Sequence, residues 1–309
     1  MTSLISGVAH ARLSAPDLGR MRAFLEDFGL IYVDGDKDRL FMRGSGDAPF
    51  IHVTERGAPG VAGFSYIAAN EAVLRDLVKA GDAAGVEQID EPGGGKRVRL
   101  RDPNGMEIAL ITGQTPAAPL PPRPKTRDAA GASVTERPAR VRRFAHCALT
   151  TPDLVKSLDW FQTKLRLIPT DELYVGQEDN TLGRFLRINQ GETPQDHHIL
   201  FVFRGAAAGV HHISFEVESP DEIFVGFNHL DKSGGHDHVR GIGRHALGAQ
   251  LFDYWMSPFN QMHEHWHSSE HMTEQSAFNR IRIGEGMSYD YGERPPERFV
   301  KQSSPLVIA

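Results

Sequence analysis

The chain has 309 residues, of which 40% are hydrophobic and 24% charged, and its formal net charge is −6. This composition is typical of a globular protein with room for two domains of ordinary size. The acidic balance argues against nucleic acid as a partner, and no apolar run approaches the roughly 18 residues of a membrane-spanning helix. Because a single cysteine, Cys147, excludes an intramolecular disulfide and the N-terminus lacks a signal-peptide pattern, we expect a cytoplasmic protein.

Residues 1–113 alternate strand-like and helix-like patterns. Polar and apolar residues alternate in the strand-like segments, whereas the helical segments place apolar side chains three or four residues apart. The predicted elements are, in order, a strand at 8–13, a helix opened by Pro16 and Asp17, strands at 31–33, 40–42 and 50–53, a strand at 63–67, a helix at 70–80, and strands near 98–101 and 107–111. This order is that of two consecutive βαβββ units.

Residues 114–140 are rich in proline and alanine and poor in large apolar side chains, which is typical of an extended linker. Residues 141–309 repeat the earlier order of elements, with helices at 152–165 and 220–233. We therefore predict an α+β protein of four βαβββ units, paired into an N-terminal and a C-terminal half-barrel domain. The segment after Ser268 has little periodicity, and we expect it to wrap the second domain or to contribute to an oligomer contact.

The two halves share a motif. The segment HARLSAPDL starts at His10 and the segment HCALTTPDL starts at His146, and each precedes a predicted helix. Two further pairs of positions correspond in the same way: Gly63 with His212, and Glu107 with Glu264. The separation of paired positions grows along the chain from 136 to 149 and then 157 residues. A duplicated domain with insertions in its second copy gives such growth.

Only the second copy carries three potential metal ligands at these positions: His146, His212 and Glu264. Eleven of the 15 histidines lie in the same region, between His197 and His267. Two imidazoles and one carboxylate that leave the other coordination positions open form the 2-His-1-carboxylate site of non-haem Fe(II) enzymes, and Mn(II) accepts the same ligands. In the first copy a glycine stands where the second ligand would be, so we expect no metal site there.

These motifs resemble those of the type I extradiol (meta-cleaving) ring dioxygenases of the vicinal oxygen chelate superfamily. In that family the first ligand lies in a His-x-x-Leu strand, as His146 does, and the second is the latter residue of a His-His pair, as His212 is. The third follows a tyrosine by ten residues, as Glu264 follows Tyr254. The resemblance covers nearly the whole chain, because the family pairs an inert N-terminal domain with a catalytic C-terminal one. It implies the vicinal oxygen chelate fold, an Fe(II) cofactor with Mn(II) as the alternative, and cleavage of a catechol-type ring next to its diol by O2.

The resemblance implies further active-site residues. His245 ends a Gly-x-x-x-His segment and, with Tyr254, would hydrogen-bond the substrate oxygens. The family also has an acid–base histidine 14 or 15 residues before the second ligand, and His198 and His197 lie at these two separations. The spacing does not choose between them. The spacing slightly favours His197, because this choice places Phe201 where the family has a large apolar residue. His198 would then be a packing residue behind His197.

Two local features concern the strand that carries the third proposed ligand. The family's Asp-Pro-x-Gly turn before this strand is replaced by a turn from Ser257 to Asn260, where asparagine tolerates a positive φ. His263 and His265 flank Glu264, so we expect them to point away from it, because successive side chains of a strand alternate between its faces.

Two alternatives remain open at this stage. A non-oxidative metal enzyme of the same superfamily (an isomerase, lyase or thiol transferase) would usually lack the combination of tyrosine, acid–base histidine and loop histidine. A metal-free ligand-binding module would have lost the ligands in both halves, whereas the second half retains them. The sequence leaves open the ring substituents of the substrate. Since the family is usually oligomeric, a homo-oligomer is expected.

Overall fold

The computed structural model describes residues 2–121, 136–284 and 291–308, so residues 122–135 of the predicted linker lie outside the described residues. Each half of the chain forms one large mixed sheet that carries two helices of nine or more residues. None of the described helices has the length and apolar character needed to cross a membrane.

The first sheet has eight strands in the spatial order β2-β3-β4-β1-β5-β8-β7-β6. Its elements are β1 (Ile5–Ala15), α1 (Leu18–Phe28), β2 (Ile31–Gly35), β3 (Arg39–Arg43), β4 (His52–Arg56), β5 (Gly60–Ala68), α2 (Glu71–Lys79), β6 (Glu87–Gln88), β7 (Lys96–Arg101) and β8 (Glu107–Thr112). Strand β1 pairs in parallel with β4, and β5 pairs in parallel with β8. Each half of the sheet is thus one βαβββ unit, and the two units join through the antiparallel pair β1 and β5.

The second half of the chain repeats this plan. Its elements are β9 (Val141–Thr151), α3 (Leu154–Lys164), β10 (Ile168–Tyr174), β11 (Thr181–Arg187), β12 (Gln195–Asp196), β13 (Leu200–Arg204), β14 (Gly209–Val217), α4 (Pro220–Ser233), β15 (Asp237–Arg244), β16 (Leu251–Met256), β17 (Met262–His267), β18 (His271–Met272), β19 (Asn279–Arg282), α5 (Glu297–Val300) and β20 (Ser304–Pro305). Strands β12 and β18 pair only with each other, and the other strands form the second large sheet. Strand β9 pairs in parallel with β13, β14 pairs in parallel with β17, and β9 joins β14 in antiparallel fashion. The predicted α+β architecture of four βαβββ units is confirmed.

Side-chain caps begin the helices at the predicted places. The Asp17 carboxylate accepts a hydrogen bond from the backbone N–H of Arg20 at 3.0 Å, and Asp153 does the same for Lys156 at 3.1 Å. These contacts satisfy backbone donors that the first turn of a helix leaves without partners. Helix α4 begins and ends at the predicted residues, and Gly234 follows it with a φ of 70°.

The turn between β16 and β17 sets the direction of the strand that carries Glu264. Asn260 has a φ of 60°, and the Ser257 hydroxyl accepts a hydrogen bond from the backbone N–H of Gln261 at 3.2 Å. Asparagine thus occupies the left-handed position, as the sequence predicted. The same short reversal at the corresponding place in the first half uses Gly105, with a φ of 85°.

The two halves share one continuous hydrophobic core. His263 and His265 point away from Glu264, as expected, and both are fully buried against helix α1 of the first half. The Nε2 of His265 donates to the backbone carbonyl of Phe28 at 2.7 Å, and the two rings stack with centroids 3.9 Å apart. Alternation along one strand therefore serves two purposes, because one face carries the candidate site and the other joins the halves.

The segment after Ser268 runs along the second half of the molecule. Strand β19 adds to the edge of the sheet beside β10, and β20 pairs with β14. Between them, Phe299 of α5 packs on Tyr254, with ring centroids 4.8 Å apart. The described parts of this segment thus wrap the second domain, which is one of the two arrangements that the sequence predicted.

Candidate metal centre

Three side chains converge on one point of the second sheet. His146, His212 and Glu264 lie on β9, β14 and β17, which are adjacent strands, and the register pairs Ser214 of the middle strand with both His146 and Glu264. The Nε2 of His146 lies 3.1 Å from Oε2 of Glu264, and the Nε2 of His212 lies 3.5 Å from the same oxygen. The two Nε2 atoms are 3.3 Å apart. Among the described residues, this is the only group of three or more histidines, cysteines or acidic residues that is close enough to hold a metal ion.

The electrostatics of the three residues suit a cation. Glu264 is fully buried, and neither of its oxygens accepts a hydrogen bond of normal geometry within the described parts of the chain. Burial alone would raise the pKa of Glu264, but the neighbouring histidines, His146 first among them, hold this pKa well below its usual value. Burial lowers the pKa of His212 well below its usual value. An ionised carboxylate beside a neutral imidazole is the protonation state that metal ligands need, so the site fits a divalent metal.

A neighbouring histidine orients His212. The Nε2 of His211 lies 2.8 Å from the Phe299 carbonyl oxygen, and the Nδ1 atoms of His211 and His212 lie 2.7 Å apart. Because a carbonyl only accepts, the Nε2 of His211 carries the hydrogen. Burial lowers the pKa of His211 to about 4, so its ring is neutral and its Nδ1 accepts a hydrogen bond from the Nδ1 of His212. The Nε2 of His212 is therefore left unprotonated, which is the state that binds a metal.

A cavity of about 740 Å³ lies over the three residues. Its polar wall includes His146, His198, His212, His245 and Tyr254. Its apolar wall comes from the strands β10, β11 and β13 and from residues near the C-terminus, among them Leu173, Leu182, Phe185, Phe203, Ile283 and Phe299. A cavity of this size and lining is typical of a small-molecule site.

His245 and Tyr254 lie together at the edge of the centre. The Nε2 of His245 is 3.0 Å from the Tyr254 hydroxyl and 3.8 Å from Oε1 of Glu264. Tyr254 is 1% exposed and its ring lies edge-on to that of His212, with centroids 5.4 Å apart. Both residues border the cavity, so both can reach a ligand there.

The structure separates the two candidate acid–base histidines. His198 borders the cavity, and its ring centroid lies 4.4 Å from that of His146. His197 does not border the cavity but lies behind His198, with its Nε2 2.7 Å from the Asp171 carboxylate. The spacing slightly favoured His197 as the acid–base residue, whereas of the two histidines the structure places only His198 at the cavity. The physical reason is that the His197 ring is directed to the buried Asp171 carboxylate, whereas the His198 ring borders the cavity.

Residues 143–256 match the family model of the Glyoxalase/Bleomycin resistance protein/Dioxygenase superfamily. The match covers part of the second half of the chain. The chain is 26% identical to metapyrocatechase 2 of Cupriavidus necator, over 97% of this chain and 92% of the relative.

Solved structures share the fold of this chain. Homoprotocatechuate 2,3-dioxygenase from Brevibacterium fuscum matches with a TM-score of 0.81 and 16% identity, over 99% of this chain and 94% of that one. A Mn(II)-bound glyoxalase from Novosphingobium aromaticivorans matches with a TM-score of 0.79 and 20% identity, over 96% of this chain and 94% of that one. The resemblance to extradiol ring-cleavage dioxygenases that the sequence motifs suggested is confirmed.

In the first half, structural contacts occupy the positions that correspond to the candidate ligands of the second half. The Nε2 of His10 lies 2.8 Å from the Ser65 hydroxyl, and Glu107 forms an ion pair with Arg99 at 2.8 Å. A Cβ atom added at Gly63 would lie 2.2 Å from the backbone carbonyl oxygen of Glu107, so the strands pack too closely there for a histidine. The residues equivalent to the two remaining ligands are thus hydrogen-bonded within the fold.

The sequence motifs did not identify three residues around the candidate centre: Asp171, His211 and Phe299. Asp171 lies in the middle of β10 and is 3% exposed, and a carboxylate inside a strand was a usable signal because it needs a partner when buried. His211 was visible only as the first residue of the His-His pair. Phe299 contributes its backbone carbonyl, and main-chain contacts of this kind leave no trace in residue identity.

Proposed function

We propose that this protein is a non-haem Fe(II)-dependent extradiol dioxygenase that uses O2 to open the aromatic ring of a catechol-type substrate next to its diol. The observation that carries the proposal is the position of His198, His245 and Tyr254 around a single cavity whose base holds His146, His212 and Glu264. The similarity to a metapyrocatechase supports the same conclusion.

Each part of the cavity has a separate task in this proposal. The metal, held by His146, His212 and Glu264, would bind the catechol oxygens and favour their ionised form, as metals do for bound water. His198 accepts a proton from a catechol hydroxyl, because its ring borders the cavity and burial holds its pKa well below the usual value, which keeps it neutral. Tyr254 and His245 hydrogen-bond the substrate oxygens and fix the ring.

The choice of Fe(II) rests on the ligand set and on the reaction. Imidazole and carboxylate ligands suit Fe(II) and Mn(II) alike. Fe(II) is preferred because the 2-His-1-carboxylate arrangement with open positions is that of the iron oxygenases. Mn(II) with a non-oxidative reaction is the second candidate, because a Mn(II)-bound glyoxalase has the same fold.

The lining of the cavity supports a substrate with an apolar substituent. Leu173, Leu182, Phe185 and Phe203 face it from three strands, and its volume of about 740 Å³ exceeds what one ring with two hydroxyl groups needs. Arg240 and Arg294 also border the cavity, and the guanidinium of Arg240 packs 4.2 Å from the centre of the Phe252 ring. We favour an aryl- or alkyl-substituted catechol because its substituent would contact the four apolar side chains, and a carboxylated catechol is the alternative that the two arginines would serve.

The test is anaerobic reconstitution with Fe(II), followed by oxygen uptake and visible absorbance with catechol, alkyl- and aryl-substituted catechols and a carboxylated catechol. One O2 consumed for each yellow ring-opened product would establish the reaction, and the ratios of kcat/KM would rank the substituents. Bound metal without oxygen uptake for any catechol would overturn the proposal and favour the non-oxidative reaction. Failure to retain any metal would favour a ligand-binding module.

A further inference from the structure

A chain of hydrogen bonds connects the buried carboxylate of Asp171, by way of His197, to His198 at the cavity. The Oδ2 of Asp171 lies 2.7 Å from the Nε2 of His197, and its Oδ1 accepts a hydrogen bond from the side-chain amide of Asn279 at 2.9 Å. The Nδ1 of His197 lies 3.0 Å from the Nδ1 of His198. The chain thus runs from Asp171 through His197 to the histidine that borders the cavity.

The charge of Asp171 decides where each proton lies. Burial alone would raise the pKa of Asp171, but the hydrogen bonds from His197 and Asn279 outweigh burial and lower this pKa. An ionised carboxylate only accepts, so the Nε2 of His197 carries a hydrogen. When the His197 ring is neutral, its Nδ1 has a lone pair and accepts a hydrogen bond from the Nδ1 of His198. The remaining nitrogen of His198, Nε2, is then unprotonated.

The backbone around His197 is held firmly. Its N–H donates to the carbonyl of Glu270 at 2.9 Å, and its carbonyl accepts from the Thr170 hydroxyl at 2.7 Å. Arg187, which is 2% exposed, also donates to the Thr170 hydroxyl at 3.0 Å. Because the peptide groups on both sides of the His197 Cα are fixed, the backbone holds the His197 side chain next to Asp171.

We propose that Asp171 and His197 are positioning residues that hold the proton of His198 on Nδ1 and so keep its Nε2 free to act as the base towards the cavity. The expected effect on the reaction rate rests on the proposed function, whereas the expected positions of the protons do not. An orienting carboxylate that fixes a histidine tautomer is a known device in catalysis, and its conversion to an amide lowers the rate by producing the wrong tautomer.

Asp171→Asn is the informative variant. If Asn279 continues to donate to the oxygen at position 171, the new amide nitrogen faces His197 and donates to its Nε2. The hydrogen of His197 then moves to Nδ1 and is donated to the Nδ1 of His198, so that the hydrogen of His198 moves to Nε2. The base towards the cavity loses its lone pair while the residues of the metal centre stay unchanged.

The first measurement is the tautomer of both histidines in metal-free protein, by NMR of 15N-labelled histidine at about pH 8, where free imidazole is neutral. We expect His197 protonated on Nε2 and His198 on Nδ1, and the opposite pattern in Asp171→Asn. His197→Asn and His198→Asn assign the signals. A wild-type His198 protonated on Nε2 would overturn the proposal, whatever reaction the protein catalyses.

The second measurement separates kcat from KM in the Fe(II) enzyme. Asp171→Asn should lower kcat by roughly 10²-fold or more, which is the usual contribution of a general base, and should leave KM and metal content near wild type. The matched control is Glu172→Gln, because Glu172 is equally buried on the same strand and pairs with Arg184 at 2.9 Å instead of with His197. Equal losses of kcat in both variants, or no loss in Asp171→Asn, would refute the positioning role. Absence of ring cleavage in wild-type protein with the expected tautomers would instead refute the proposed function.

Discussion

The imidazole of His211 donates to the backbone carbonyl of Phe299 over 2.8 Å, and the two rings lie edge to face with centroids 4.8 Å apart. A segment near the C-terminus thereby touches the histidine that orients His212. The contact joins the cavity wall and the metal centre, because Phe299 also borders the cavity. The position of this segment is thus coupled to the affinity of the site for a metal ion.

His211→Phe should weaken metal binding without removing a ligand. The variant keeps the ring volume but leaves the Nδ1 of His212 without its acceptor, so His212 no longer favours the tautomer with a free Nε2. Loss of such an orienting contact typically costs 10- to 100-fold in metal affinity. Titration calorimetry of metal-free protein with Mn(II) measures the effect, with His271→Phe as the control because His271 is exposed. Equal affinities for wild type and His211→Phe would contradict the orienting role.

Glu264→Gln should abolish metal retention, whereas Glu107→Gln should not. Glutamine preserves the size of the side chain but removes the charge that balances a divalent cation. Glu107 is the matched control because it holds the equivalent position in the first half, where it pairs with Arg99. Elemental analysis of both proteins after purification gives the result. Metal bound at wild-type stoichiometry by Glu264→Gln would remove this residue from the ligand set.

The sequence predicted the strands of the candidate metal centre well because each strand is set by local signals. Alternation, helix caps such as Asp17 and the turn at Asn260 all lie within a few residues, and the repeated motif aligned His146, His212 and Glu264 with their counterparts. Contacts between distant segments were beyond this reasoning. The carboxylate of Asp171 reaches His197 because the sheet places β10 near β13, with only β11 between them. Spacing along one segment of the chain also does not distinguish His197 from His198.

His198→Asn should slow ring opening while leaving metal bound. The cavity loses its base, and the substituted amide cannot accept a proton, so kcat should fall by roughly 10²- to 10⁴-fold. Metal content should match wild type, because His198 contacts His146 through its ring and supplies no ligand atom to the group of three. Single-turnover absorbance measurements separate ring opening from product release. A wild-type single-turnover rate in this variant would exclude His198 as the base.

Leu182→Trp should discriminate between small and large substrates. Leu182 borders the cavity from β11, and the larger ring would occupy the space that we assign to an apolar substituent. We expect kcat/KM for an aryl-substituted catechol to fall by about tenfold or more, since each methylene-sized loss of apolar burial costs about 0.8 kcal/mol. For unsubstituted catechol, kcat/KM should fall by less than about two- to threefold, because this substrate has no substituent in the space that the new ring fills. Equal losses for both substrates would show that the substituent lies elsewhere.

The stability of the metal-free protein should decrease as the pH falls below about 6.5, in part through His10. Burial and then the nearby charge of Arg12 lower the pKa of His10 well below its usual value, so the folded protein keeps this histidine neutral. The unfolded chain binds the extra proton first, which favours unfolding as the solution is acidified.

His10→Gln isolates this contribution. The glutamine amide can still reach the Ser65 hydroxyl that lies 2.8 Å from the Nε2 of His10, but it does not titrate. Urea unfolding of both proteins between about pH 8 and pH 5 gives the dependence, and the values at pH 8 correct for any general loss of stability. Below pH 6.5 the variant should lose up to about 1.4 kcal/mol less per pH unit than wild type, the value for one proton. Identical slopes would mean that His10 takes up its proton without unfolding. The ligand-equivalent histidine of the first half would then titrate as if it were exposed to water, contrary to its burial.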